Sequence, residues 1–183
     1  MNVQPFFGPF PVIDLGNIVL REISEEDAPA YLAYMNNEHM APFLTKETMP
    51  QDLESAKGEV NYWGSLFPSK RSIYWAIALK ETNQMIGTAG FNSISFANSR
   101  AEISYDLDPA YWGKGVMLQS VKSILKFVDY TMGVIRIQAT VVVSNERSIN
   151  LLERCGFQKE GLLRKYEVVQ GELRDYYMYA RVL

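Results

Sequence analysis

Among the residues that could do chemistry, the pair Gly113-Lys114-Gly115 stands where a strand-like run, Arg100–Leu107, gives way to a helix-like one. A glycine turn feeding a helix N-terminus aims several unbonded backbone N–H groups at one point, together with the positive end of the helix dipole. Such a point binds phosphate or pyrophosphate. The turn is not a Walker A loop, because no Gly-Lys-Ser/Thr follows a four-residue spacer, and it lacks the third glycine of the dinucleotide fingerprint. Taken alone, a plain strand-to-helix turn fits it as well as a phosphate cradle does. The only cysteine is Cys155 and the only histidine is His39. That argues against an intrachain disulfide, a Cys–His covalent relay and a histidine- or cysteine-ligated metal. Cys155 reads as a buried residue at a helix end and His39 as a loop residue.

The elements that must position this turn follow from periodicity. An arm over residues 1–16 (Pro5-Phe6-Phe7-Gly8-Pro9-Phe10-Pro11) is too rich in Pro and Gly for a helix or central strand, and its aromatics suggest a segment pinned to the surface. Ile18–Ile23 reads as a strand. Ser24-Glu25-Glu26-Asp27 resembles a capping box that opens a helix to about Asn36. A second helix is expected from about Gln51 to Leu66, marked by Pro50, Asp52 and Glu54. Ser72–Lys80, Met85–Ile94 and Arg100–Leu107 read as a three-strand meander, with Gly87 and Gly90 as markers of a bulge. The helix after the glycine turn runs from about Gly115 to Met132, with Leu118, Val121, Leu125 and Val128 on one face and Gly133 as its stop. Ile135–Val141 alternates as a strand. Asn145 caps a short helix, Glu146–Arg154, that ends at Cys155-Gly156-Phe157. A hairpin with its turn at Gln170-Gly171-Glu172 closes the chain.

This order predicts a single α+β domain over residues 1–183, with a mixed, mostly antiparallel sheet of about seven strands flanked by helices. One parallel crossover, through the helix after the glycine turn, lies at the phosphate-binding point. The 183 residues, with 48% hydrophobic and 21% charged side chains, suit one soluble globular core. A net charge of −3 gives no support for nucleic-acid binding. No 18-residue apolar run and no signal-like N-terminus is present, so a cytoplasmic protein without a membrane partner is expected.

Five ordered strings resemble the GNAT superfamily of acetyl-CoA-dependent N-acyltransferases, and within it the branch of ribosomal-protein-alanine N-acetyltransferases. They are Ala101–Asp108, Tyr111–Gly115, Asn145–Ser148, Cys155-Gly156-Phe157 with Glu160-Gly161, and Tyr179-Ala180-Arg181. The resemblance implies that acetyl-CoA is the cosubstrate, with no metal. The family's pyrophosphate loop, Arg/Gln-x-x-Gly-x-Gly/Ala, would lie on Trp112, Gly113, Lys114, Gly115, Val116 and Met117. Trp112 stands where the family has Arg or Gln. Met117 replaces a small residue and would crowd the phosphate, and Gln119 replaces a usual Glu. The pantetheine arm would run along Asp106, Leu107 and Asp108, with Asn145 contacting it.

The resemblance further implies direct attack of an amine on the thioester, with Ser148 donating the proton to the departing sulfur and Tyr105 or Tyr111 as weaker alternatives. An α-amine with pKa near 7.8 is neutral in roughly one molecule in seven at pH 7, against roughly one in 2,500 for a lysine. A protein N-terminus therefore needs only a modest base, and Glu102 and Glu167 are the candidates. Each could equally be a solvated carboxylate or the partner of Arg100, Arg136 or Arg164. Phe43, Trp63 and Trp75 are aromatics that could line an acceptor cleft. The acceptor is expected to be a primary amine, foremost a protein N-terminal α-amine. A small amine (polyamine, amino acid or aminoglycoside) is the alternative within the enzyme class. Trp112, Met117 and Gln119 would instead suit a non-catalytic acyl-CoA-binding module. The oligomeric state is left open, with a homodimer as one option.

Overall fold

The computed structural model describes residues 6–183. Eight strands form one sheet in the order β1-β2-β3-β4-β5-β6-β8-β7. They are β1 (Ile13–Asp14), β2 (Ile18–Arg21), β3 (Tyr74–Leu79), β4 (Met85–Ser95), β5 (Arg100–Leu107), β6 (Arg136–Val142), β7 (Gln158–Val169) and β8 (Glu172–Val182). The helices are α1 (Ala28–Met35), α2 (Leu53–Leu66), α3 (Val116–Thr131) and α4 (Glu146–Arg154). Every neighbouring pair is antiparallel except β5 with β6, the parallel pair joined through α3. The one strand beyond the expected seven is the two-residue β1, in a stretch whose Pro and Gly content argues against strand. It pairs only with β2 at the sheet edge, where a short proline-flanked strand is tolerated.

The sheet has two packed faces. One buries Trp75, Ile77, Phe91 and Ile103 against Val121, Ile124 and Val128 of α3 and Leu152 of α4. The other buries Tyr74, Ala76 and Met85 against Tyr31 and Tyr34 of α1 and Ala56 and Val60 of α2. The described part of the arm lies on the first face. Phe7 and Phe10 pack on Phe67, with ring centroids 5.4 and 5.1 Å apart, and the Trp75 indole N–H donates to the Pro11 carbonyl at 2.7 Å. Pro5, at the start of that aromatic run, lies outside the described residues. Trp75 is thus fully buried on the α3 face and lines no cleft. Its β-strand neighbours alternate with it, and an odd-numbered position on β3 faces α3.

Helix ends follow the residues expected of them. Asp52 caps α2 by accepting from the Ser55 amide at 2.8 Å. Gly156 adopts φ +86° after α4, and the Phe157 amide bonds back to Leu152 O at 3.0 Å, a Schellman closure. The buried face of α3 is wider than the sequence period suggested, because Met117, Ser120 and Ile124 join Val121, Leu125 and Val128. Gly87 and Gly90 are not themselves bulge residues. A Cβ on Gly90 would lie 2.5 Å from Ile73 O and 2.6 Å from Tyr74 Cα, and one on Gly87 would lie 2.5 Å from Asp106 O. They are glycines because backbones approach there. The register shifts fall beside them, near Ile86 and at Asn92.

Candidate active site

The site begins with strands that stop pairing. β5 and β6 bond in parallel only over Arg100–Glu102 and Arg136–Gln138. The bulge at Asn92 lies at that same level, between the pairs Phe91–Ile103 and Ser93–Glu102. A bulge sharpens local twist, and beyond it β5 follows β4 while β6 follows β8. The gap between them is a cavity of about 250 Å3. Its walls are Glu102–Leu107 of β5 and Ala139–Val142 of β6, closed by Asn145, Ser148 and Leu151 from α4, Met40, Phe43 and Leu44 before α2, and Tyr176 of β8.

Alternation along β5 divides the chemistry between the two faces. Ile103, Tyr105 and Leu107 belong to the α3 face. Glu102, Ser104 and Asp106, between them in sequence, point to the α1 face. On the α3 face, Tyr105 OH lies 2.7 Å from Ser148 Oγ. The Ser148 amide donates to Asn145 Oδ1 at 3.1 Å, so the N-cap that starts α4 also sets Ser148 at the cavity wall. Burial pushes the Tyr105 phenol up, well above the ordinary tyrosine range. On the α1 face, Glu102 accepts from Gln138 Nε2 at 3.2 Å. Its expected ion-pair partner Arg136 is engaged instead by Glu160 at 2.6 Å.

Asp106 is the most heavily bonded acid of the site. It accepts from Tyr34 OH at 2.5 Å, from the Thr88 hydroxyl at 2.6 Å and from the Thr88 amide at 3.1 Å. Burial raises its pKa to about 6, with the Thr88 and Tyr34 hydrogen bonds opposing the rise. Next along the same face, Tyr74 OH meets both Asn92 Oδ1 and Ser104 Oγ, and the Tyr74 ring stacks on Trp63 with centroids 5.3 Å apart. Trp63 supports this wall from behind and is not in the cavity lining, whereas Phe43 is.

The glycine turn lies between two lining residues, Trp112 and Met117. Gly113 and Gly115 adopt φ +73° and +78°, and a Cβ on either would meet nothing within 4 Å. The outer side of the turn is therefore open. Gln119 N–H is the first helical amide, bonding to Gly115 O at 3.1 Å, so the amides of 116–118 leave the helix end unbonded. That is the cradle a pyrophosphate requires. The Met117 side chain, expected from sequence to crowd the phosphate, is 7% exposed, belongs to the core cluster of the α3 face and also borders the cavity. Gln119 Nε2 reaches back to Leu15 O at 3.0 Å and ties α3 to the arm. Trp112 donates its indole N–H to Leu107 O at 2.7 Å, meets Phe43 edge-on at 6.4 Å, and carries the Arg147 guanidinium 4.8 Å over its ring. Lys114 lies over Tyr111 at 5.2 Å. The Asp108 carboxylate is used locally, accepting from the Ala110 amide at 2.9 Å.

Of the sequence candidates, the structure gathers Glu102, Tyr105, Asp106, Leu107, Trp112, Met117, Asn145 and Ser148 around one cavity. Gly113, Lys114, Gly115 and Val116 flank it. Glu167 is not in its lining. It lies opposite Arg174 on the β7–β8 hairpin and reaches the cavity only through Tyr176, whose hydroxyl is raised by burial first and then by the Glu167 carboxylate. His39 is exposed and Cys155 buried. Sequence reasoning missed Asn92, Ser104, Tyr34 and Tyr176. Each enters through a bulge or a long-range contact that no local pattern marks. No group of three or more metal-ligating side chains occurs among the described residues.

A sheet opened between parallel strands, with an anion cradle at one end of the gap and polar groups on both faces, is built to bring a long phosphate-bearing donor to an acceptor across the sheet. That is the arrangement of an acyl-CoA-type transferase. Residues 17–158 match the acetyltransferase (GNAT) domain family, and the chain belongs to it and is an N-acetyltransferase by class. It is 33% identical over 173 residues to the uncharacterized N-acetyltransferase YoaA of Bacillus subtilis, covering 94% of this chain and 97% of that one. The ribosomal-protein-S5-alanine acetyltransferase of Vibrio fischeri superposes with a TM-score of 0.84 at 26% identity, over 94% of this chain and 96% of that one. RimL, a ribosomal L7/L12 alpha-N-protein acetyltransferase in complex with coenzyme A, superposes with a TM-score of 0.86 at 25% identity, over 94% and 98%. No helix among the described residues is long and apolar enough to cross a membrane.

Proposed function

We propose that this protein transfers an acetyl group from acetyl-CoA to a primary amine, foremost the α-amine of a protein N-terminus. The observation that carries the reading is the cavity that passes between β5 and β6, with Ser148 on one face and Glu102 on the other. The pyrophosphate would be held by the amides of Gly113, Lys114, Gly115, Val116 and Met117, beside Trp112. The edge of Asp106-Leu107-Asp108 turned away from β4 would receive the pantetheine arm beside the Trp112 indole, which already donates to Leu107 O, and Asn145 would offer it the NH2 end of an amide whose oxygen is used in capping. When bound, acetyl-CoA supplies an activated thioester carbonyl at the gap.

The chain's own residues then divide the proton work. Glu102, with the β5–β6 gap to hold a water, takes the proton released by the attacking amine. Ser148 gives its hydroxyl proton to the departing sulfur and is reprotonated from solvent in the gap, to which Glu102 returns the amine's proton. Glu167 is outside the cavity lining and would act on it through Tyr176. Glu102, Asp106 and the hydroxyls of Ser104 and Tyr74 make the α1 face suited to a cationic amine approaching from solvent. The α-amine preference rests on the pKa argument and on the ribosomal-protein acetyltransferases among the similar proteins.

The test is a panel of acceptors with acetyl-CoA, read as release of the CoA thiol. Peptides beginning with Ala or Ser are expected to be acetylated at the N-terminus. Turnover of polyamines, free amino acids or aminoglycosides in their place would move the acceptor to small molecules. Binding of CoA without turnover on any amine would make the chain a binding module.

A further inference from the structure

We infer that Tyr105 is a positioning residue for Ser148: its phenol donates to Ser148 Oγ and so aims the serine's own proton into the cavity. This deepens, and rests on, the acetyltransferase reading above. A serine hydroxyl carries one proton on a free rotor, and as an acid it works only in rotamers that point at the leaving group. Ser148 has two neighbours that could set that rotor. Its amide is taken by Asn145 Oδ1, which fixes the backbone but not the hydroxyl. Its Oγ has one side-chain partner among the described residues, Tyr105 OH at 2.7 Å, a distance typical of an O–H···O bond.

The direction of that bond follows from Tyr105's surroundings. Ser148 Oγ is the only hydrogen-bond partner of Tyr105 OH among the described residues. Donating, Tyr105 satisfies its proton inside a buried wall, where an unmade bond is costly. The serine is then left as acceptor from the tyrosine and donor to whatever occupies the gap. Both side chains line the cavity, and Leu151 and Met117 border the same wall. Tyr105 keeps its proton, because Ser148 is reprotonated from solvent in the gap, so no phenolate forms in the buried wall. A chain of two hydrogen bonds also polarises its terminal donor, which makes Ser148 a better acid than an isolated serine.

The placement is a consequence of β5's alternation. Tyr105 is the odd-numbered residue at the level where β5 and β6 have parted, so its ring crosses the floor of the gap toward α4.

Tyr105→Phe removes the hydroxyl alone. With an active wild-type enzyme, it is expected to lower kcat about tenfold, the size of one lost hydrogen bond in the transition state. The dissociation constant for CoA, measured by calorimetry, should stay within about twofold, and the thermal melt should show a folded protein. The deciding measurement is the double variant. In a Ser148→Ala background, Tyr105→Phe should cost nothing further, because the group it positions is gone. A packing role would give a kcat loss that multiplies with that of Ser148→Ala, and that result overturns the inference. So does undiminished turnover by Tyr105→Phe. If Tyr105→Phe does not fold, Tyr105→His keeps a polar ring and is read in the same cycle. Absence of thiol release by the wild-type protein on every amine tested would overturn the acetyltransferase reading itself, and the role of Tyr105 with it.

Discussion

Ser148 and Asn145 share one helical turn but do different work, and substitution separates them. Asn145→Ala removes the cap on the Ser148 amide and should cost about 1 kcal/mol of stability. Ser148→Ala leaves that amide bond in place and should leave the melting temperature nearly unchanged. Its effect belongs to turnover, where loss of a proton donor should lower kcat by roughly 10- to 100-fold, with CoA affinity retained. A Ser148→Ala enzyme that turns over like wild type would remove serine from the acid role. At this scale the sequence was only partly legible. Asn-x-x-Ser is a short pattern whose capping half is local, and the cap forms as expected. Tyr105 stands 43 residues from Ser148, and nothing in either neighbourhood announces their contact. Glu167 illustrates the converse. Its place in the strand was readable, but the interposition of Tyr176 depends on the hairpin's bulged register.

At the scale of elements, two glycines test two different reasons for being glycine. Gly115 sits at φ +78° with open space around it. Gly115→Ala should therefore cost only the strain of a left-handed conformation, about 1–2 kcal/mol, while Gly115→Trp should also weaken CoA binding more than tenfold by filling the cradle. Calorimetry with CoA distinguishes strain from blockage. Gly90 has no unusual φ, but the place of its missing Cβ is taken by Tyr74 Cγ and by backbone, Ile73 O at 2.5 Å and Tyr74 Cα at 2.6 Å. Gly90→Ala should destabilise by more than about 2 kcal/mol, since two of these atoms are backbone and the third is the inner end of a ring stacked on Trp63. Urea unfolding gives the comparison. The meander, the crossover helix and the final hairpin were legible because hydrophobic period and turn residues are local. The splay between β5 and β6 was not, because it arises from a bulge at Asn92 acting on strands whose pairing is long-range. Gly87 and Gly90 drew attention to the right strand for a different physical reason from the one sequence suggested.

At the scale of the whole molecule, Asp106 links α1 to the sheet and makes that link depend on pH. Tyr34 of α1 and Thr88 of β4 both donate to its carboxylate. Those bonds favour the charged form, yet burial outweighs them and the pKa rises from 3.8 to about 6. Because the native pKa lies above the unfolded one, the native state holds its proton more tightly. The stabilising contribution is full below about pH 4 and is lost as pH rises through 6. Across that window the shift of about two units corresponds to about 3 kcal/mol. Other acids pull the opposite way. Asp14, Asp52 and Glu160 are lowered, by hydrogen bonds from Lys80, Ser55 and Arg136 respectively, and they favour the folded state at higher pH. The total stability curve therefore hides the Asp106 contribution, and a difference measurement isolates it. Asp106→Asn keeps an oxygen for Tyr34 and the Thr88 amide but cannot titrate. Urea denaturation of both proteins at pH 4 and pH 7.5 should show the variant gaining on wild type by about 2 kcal/mol as pH rises. Parallel curves for the two proteins would mean that Asp106 ionises in the native state as it does in the unfolded chain. The enclosure of its carboxylate by Tyr34 and Thr88 would then carry no electrostatic cost.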